Sequence, residues 1–153
     1  METYFFDSSG LLKRYVNESG TVWVNNLTAP KAKNTLYVAR ITGAEIVSAL
    51  TRRYKGGSLT ANEFQTAVSD FRHDFQSDYR NVEISETLIS QAMDLAEKHA
   101  LRGYDAVQLA AALEVHNERV AFGLPAPTLI SSDLALNEAA TAQGLTVDDP
   151  NLY

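Results

Sequence analysis

The sequence predicts an α/β domain built on a doubly wound, mainly parallel sheet, and two observations carry that expectation. Short β-rich runs alternate with longer helical patterns along the whole chain, as strand–helix–strand units require. With 153 residues, 45% of them hydrophobic and 21% charged, the chain has the length and composition of one globular domain spanning residues 1–153.

The first run, Thr3 to Phe6, is a strand candidate that stops at Asp7 and Ser8. Leu11, Leu12 and Tyr15 then suit a short helix, Asn17 to Gly20 a turn, and Val22, Trp23 and Leu27 a second helix. Leu36 to Ile41 reads as strand two. From Gly43 to Lys55 the apolar set Ile46, Val47, Leu50 and Tyr54 falls on one helical face, and Gly56 and Gly57 stop it. Phe64, Ala67, Val68, Phe71 and Phe75 repeat that spacing in the next helix. Val82 to Ile84 is a short strand candidate, followed by an amphipathic helix on Leu88, Ile89, Ala92, Leu95 and Ala96 that closes near His99. Asp105 to His116 is apolar nearly all round, which predicts a helix covered on most sides. Pro125 and Pro127 mark a loop before strand four, Thr128 to Ile130, and Leu134 to Ala142 reads as a helix before a last strand, Leu145 to Val147.

Composition excludes several function classes. Thirteen Lys and Arg against nineteen Asp and Glu give a net charge of −6, so nucleic acid must be met by a local basic patch rather than by overall attraction. The absence of Cys rules out disulfides, thiolate zinc sites and cysteine catalysis. The opening METYFFDSSGLLKRY has neither a basic nor an apolar signal region, and no run approaches the ~20 apolar residues of a membrane helix. A cytoplasmic protein without membrane contact is expected.

Ligands of open α/β sheets bind beyond the carboxyl ends of the strands, at the switch in strand order. Asp7 follows strand one directly, and Asp133 follows strand four in Leu129-Ile130-Ser131-Ser132-Asp133. Glu45 lies in the first turn of the helix after strand two, and Asp105 opens the apolar helix. Carboxylates without His or Cys match Mg²⁺ or Mn²⁺ better than zinc, and such an ion supports hydrolysis of a phosphodiester. Local sequence gives each acid a second reading as a helix cap. Thr42-Gly43-Ala44-Glu45 has the form of a capping box, as does Thr60-Ala61-Asn62-Glu63, and Asp7, Asp105 and Asp133 suit helix starts.

Tyr4-Phe5-Phe6-Asp7-Ser8-Ser9-Gly10-Leu11-Leu12-Lys13-Arg14-Tyr15 resembles the opening of a PIN-domain ribonuclease, in particular the VapC-type toxins of prokaryotic toxin–antitoxin pairs. The resemblance continues in order. Glu45 in Thr42-Gly43-Ala44-Glu45-Ile46-Val47 resembles the second acid of that family, Asp105 in Arg102-Gly103-Tyr104-Asp105-Ala106-Val107 the third, and Asp133 in Ser131-Ser132-Asp133-Leu134 the fourth. It implies a three-layer PIN-like fold with about five strands in the order 3-2-1-4-5. It also implies a metal-dependent endoribonuclease whose catalytic, metal-holding residues are Asp7, Glu45, Asp105 and Asp133, with Mg²⁺ as cofactor and Mn²⁺ as substitute. Ser9 matches a small hydroxyl of the family and Ser131 replaces its more common Thr; both are expected to orient the metal shell. Gly10 stands where the family usually has Ala, which weakens helix propensity by about 1 kcal/mol. A cognate antitoxin and a homodimer are the partners it implies.

Two simple antiparallel helices between strands three and four would start the Asp105 helix at the amino edge of the sheet, away from the other acids. A four-acid site requires them to cross steeply, and only the resemblance implies that. Candidates for RNA phosphate contacts are Arg52, which shares a helical face with Glu45, and Lys13 and Arg14; Arg52, with Arg53 and Lys55, equally suits the carboxyl end of its helix as a complement to the dipole. Two other functions fit parts of the pattern. Phosphoryl transfer through Asp7 is disfavoured, because Asp7-Ser8-Ser9 lacks the second Asp that haloacid-dehalogenase-like enzymes carry two residues on. A housekeeping PIN nuclease, or an RNA-binding module without turnover, shares the same residues.

Overall fold

A computed structural model describes residues 1–153. Five strands, β1 (Thr3–Phe6), β2 (Thr35–Ala39), β3 (Arg80–Val82), β4 (Thr128–Ile130) and β5 (Thr146–Asp148), form one sheet in the order β3-β2-β1-β4-β5. Every pairing is parallel. The helices are α1 (Ser8–Leu12), α2 (Thr21–Thr28), α3 (Thr42–Lys55), α4 (Ala61–Ser77), α5 (Glu86–His99), α6 (Gly103–Ala121) and α7 (Leu134–Ala142). None is long and apolar enough to cross a membrane.

Successive residues of a strand point to opposite faces of the sheet, and here both faces are covered. Phe5, Ala39 and Leu129 face a core shared with α5, α6 and α7, built on Leu88, Leu95, Leu109, Ala110 and Leu136. Phe6, Val38 and Ile130 face the other way, into a core with α1 to α4 that includes Leu11, Val24, Ile46, Leu50 and Phe71. The result is the three-layer, doubly wound arrangement that the alternation of elements implies. Its switch lies at β1, whose neighbours are β2 on one side and β4 on the other.

Element ends depart from the sequence expectation where local pattern yields to pairing. Strand β2 stops at Ala39 rather than Ile41, because Ile41 is already helical and its carbonyl accepts the N–H groups of Ala44 and Glu45. Strand β3 is Arg80–Val82 rather than Val82 to Ile84, its register fixed by Tyr37 opposite Arg80 and Ala39 opposite Val82. Strand β5 is displaced by one residue, and α6 extends from Gly103 to Ala121. Gly10 is a packing requirement rather than a weak helix former. A Cβ there would strike the backbone carbonyl of Ile130, so α1 lies against β4 only because the position carries no side chain.

Candidate active site

At the carboxyl edge the chain leaves two adjacent strands into two acids. The Asp7 N–H donates to the carbonyl of Ile130 at 3.2 Å, joining the ends of β1 and β4. Asp7 is the N-cap of α1 and accepts the Gly10 N–H at 2.8 Å; Asp133 is the N-cap of α7 and accepts the Leu136 N–H at 3.0 Å. For these two residues the capping and site readings are therefore compatible. Each cap uses one carboxylate oxygen and turns the side chain over the sheet edge.

Asp7 is 2% exposed. The Ser9 hydroxyl lies 2.8 and 2.9 Å from its two oxygens, and the Ser131 hydroxyl donates to Oδ2 at 3.1 Å. Ser9 in turn accepts the Ser132 N–H at 3.0 Å, so both hydroxyls tie Asp7 to the strand that leads to Asp133. Burial pushes the Asp7 carboxyl up to about 7 despite the opposing hydrogen bonds from Gly10, Ser9 and Ser131, and the Asp133 charge adds to the rise. A buried carboxylate whose neighbours are further carboxylates lacks a positive partner.

Glu45 is not a cap. Helix α3 has no side-chain cap, and the buried Thr42 hydroxyl accepts from Gln108 Nε2 at 2.8 Å instead. The same Nε2 donates to Glu45 Oε1 at 2.8 Å, while the Ser8 hydroxyl donates to Oε2 at 3.1 Å. The other candidate box is real: Thr60 and Glu63 satisfy each other's backbone N–H groups at the start of α4. Gln108 and Ser8 are site residues that the motif reading missed. Gln108 carried a signal, being a lone amide in an apolar helix one turn beyond Asp105 and so on its face.

Asp105 stands in the first turn of α6. Its carboxyl is raised, first by burial and then by the charges of Asp133 and Glu45, with Arg102 opposing. Together with the bridge from Gln108 to the start of α3, this brings the opening turn of α6 to the same edge as Asp7. The simple antiparallel arrangement is thereby overturned, and Ala100, in the left-handed conformation, redirects the chain between α5 and α6.

The donor set is all hard oxygen and carries excess negative charge, which suits Mg²⁺ or Mn²⁺. No three of the acids stand as a finished cluster around one point. The oxygens of Asp7 and Glu45 are taken up by hydrogen bonds within the protein, so chemistry and charge, rather than preset coordination, fit the ion.

Among the basic candidates, Arg52 lines a cleft of about 490 Å³ together with Ser8, Ser9, Glu45, Ser48 and Tyr104. The expectation for Lys13 and Arg14 is corrected. Lys13 is 4% exposed, its ammonium committed to Glu18 at 3.3 Å and Asn151 at 2.7 Å. Arg14 donates to Tyr79 at 2.7 Å and sits 3.5 Å from Asp74, in the layer of α4. Both are structural cations.

No protein-family model matches the chain. Two curated proteins of Mycobacterium tuberculosis strains, ribonucleases VapC45 and VapC49, are each 32% identical to it over 147 residues, covering 96% of this chain and 95% of theirs. Solved structures share the fold. M. tuberculosis VapC20, a toxin that cleaves the sarcin-ricin loop, superposes with a TM-score of 0.65 at 16% identity, covering 89% of this chain and 94% of its own. VapBC2 from Rickettsia felis, bound to a DNA fragment from its promoter, gives 0.61 at 15% identity over 96% and 98%. The ordered motifs, the strand order and the full-length identity to two VapC ribonucleases agree, and the chain belongs to the VapC family of PIN-domain ribonucleases.

Proposed function

We propose that this protein is a divalent-metal-dependent endoribonuclease that acts as the toxin of a toxin–antitoxin pair, with Mg²⁺ as its ion and Mn²⁺ able to replace it. The observations that support the reading are that Asp7 and Asp133 leave adjacent strands at one sheet edge, that Gln108 bridges α6 to Glu45, and that burial first, with the charges of neighbouring acids after it, raises the carboxyls of Asp7 and Asp105. These four would hold the ion. Bound there, it would polarise the phosphodiester, activate water and offset charge on the leaving oxygen.

The chain's own residues supply positioning. Ser9 and Ser131 bond to the Asp7 carboxylate, Ser8 and Gln108 bond to Glu45, and Arg52, on the cleft wall, would take a phosphate oxygen. An antitoxin and a second copy of the chain are the protein partners of this reading. Support comes from the VapC ribonuclease relatives and from toxin–antitoxin complexes among the structural neighbours, including FitAB bound to a DNA fragment.

The test is cleavage of a mixed RNA pool by purified protein with Mg²⁺ or Mn²⁺, beside EDTA and Asp7→Asn controls. Cuts that need the ion and disappear in the variant are expected. Cleavage unchanged by both controls would overturn the assignment.

A further inference from the structure

Tyr104 stands beside Asp105 and is 62% exposed. Of the seven tyrosines it alone lacks an aromatic, cationic or hydrogen-bonding partner within the chain. Tyr4 packs on Phe6, Tyr54 on Phe64 and Tyr153 on Trp23; Tyr37 meets Arg80 and Arg119; Tyr15 and Tyr79 bond to each other. A largely exposed, unpartnered ring on the first turn of α6 is open to a ligand's face.

Its position is distinctive. Tyr104 forms part of the wall of two concavities: the cleft that holds Glu45 and Arg52, and an apolar groove of about 520 Å³ lined by Ile41, Ile89, Met93, Ala96 and Val107. Arg102, the N-cap of α6, lies on the groove side. An aromatic ring that shares one concavity with Arg52 and Glu45 and the other, apolar one with Arg102 has the elements of a single-strand platform. Bases stack on such faces while the backbone follows the cations. With a net charge of −6, RNA affinity has to be built locally in this way.

Given RNA as substrate, which rests on the ribonuclease reading above, we propose that Tyr104 stacks an unpaired base next to the scissile phosphate. It would thereby restrict cleavage to single-stranded sites, with Arg52 holding the adjoining phosphate. Stacking tolerates any base, so Tyr104 selects for an unpaired nucleotide more than for its identity.

The test compares the parent protein with Tyr104→Ala, Tyr104→Phe and Arg52→Ala. Cleavage of single-stranded RNA gives kcat and KM, and fluorescence anisotropy in an Asp7→Asn background gives the affinity for a randomised 12-nucleotide RNA as a function of salt. The expected result for Tyr104→Ala is about 10-fold weaker binding and a matching rise in KM, with kcat little changed and the salt slope unaltered. Tyr104→Phe should restore the parent values to within about twofold. Arg52→Ala should instead lower the salt slope by about one. If Tyr104→Ala binds and cleaves like the parent, the stacking role is overturned while the nuclease stands. If that variant loses only self-association, with RNA binding intact, the ring belongs to a protein interface and the proposal fails. If the parent neither binds nor cleaves RNA, the nuclease reading and this inference fall together.

Discussion

Asp7 combines almost complete burial with negative neighbours, and that makes it a test of the site without substrate. In the folded, metal-free protein its carboxyl keeps the proton up to about pH 7, whereas in an unfolded chain it ionises near 3.9. Between those values the folded state binds more protons than the unfolded one, so the contribution of Asp7 falls as pH rises through the window. Asparagine keeps an acceptor for Gly10 and removes the charge. In EDTA, Asp7→Asn should therefore be more stable than wild type at pH 8 by on the order of a few kcal/mol, and so melt higher, and the difference should vanish near pH 4. Thermal melts at both pH values check this, and equal melting at pH 8 would contradict it. Gln108 gives the complementary case. Its Nε2 serves both Thr42 and Glu45, so Gln108→Met, which keeps volume but not the donor, should lower kcat/KM about 10-fold or more by freeing Glu45. Circular dichroism would show the fold retained; undiminished cleavage would remove Gln108 from the positioning role.

Helices and strands show where sequence patterns suffice and where they fail. The long amphipathic helices α3, α4 and α5 lie close to where periodicity puts them, because many apolar positions vote for one face. The three-residue strands β3 and β5 are shifted, since so short a run has no period to read and neighbours set its register. Asp7 and Asp133 were legible as acids that follow strands. Ser8 and Gln108 were not assigned, because their shared partner Glu45 lies 37 and 63 residues away and only tertiary packing brings them together. The opening of α6 beside the acids depends in the same way on the turn at Ala100. Gly10 reverses a local expectation outright. On propensity alone Gly10→Ala gains about 1 kcal/mol, but the added methyl meets the Ile130 carbonyl where α1 crosses β4. Overpacking against backbone costs about 1–3 kcal/mol, so the net effect should be destabilising and should move Asp7, whose N–H bonds to that carbonyl. Urea unfolding measures it, and a gain in stability would show that α1 has room to withdraw.

Across the whole molecule, the four acids divide between the two layers that sandwich the sheet. Asp7 and Glu45 belong to α1 and α3, packed on the core of Phe6 and Ile46; Asp105 and Asp133 belong to α6 and α7, packed on the core of Phe5 and Leu109. An ion held by all four would tie one layer to the other across the carboxyl edge. It would also offset the charge on Asp7 and Asp105, whose carboxyls burial raises first and neighbouring acids raise further. Linkage sets the scale: at about 100 times Kd a ligand of the native state adds about 2.7 kcal/mol, which for a domain of this length is a rise in Tm of about 5–10 °C. Its distribution is the sharper observable. Hydrogen exchange with and without Mg²⁺ should show new protection at the starts of α1, α3, α6 and α7 together, while the end of α6 near Ala121, distant along the helix from its acid, stays unchanged. Protection confined to α1 and α7 would mean that only Asp7 and Asp133 hold the ion. In that case Glu45 and Asp105 would act on the substrate instead, and the four-acid metal site would be wrong even if cleavage needs the metal.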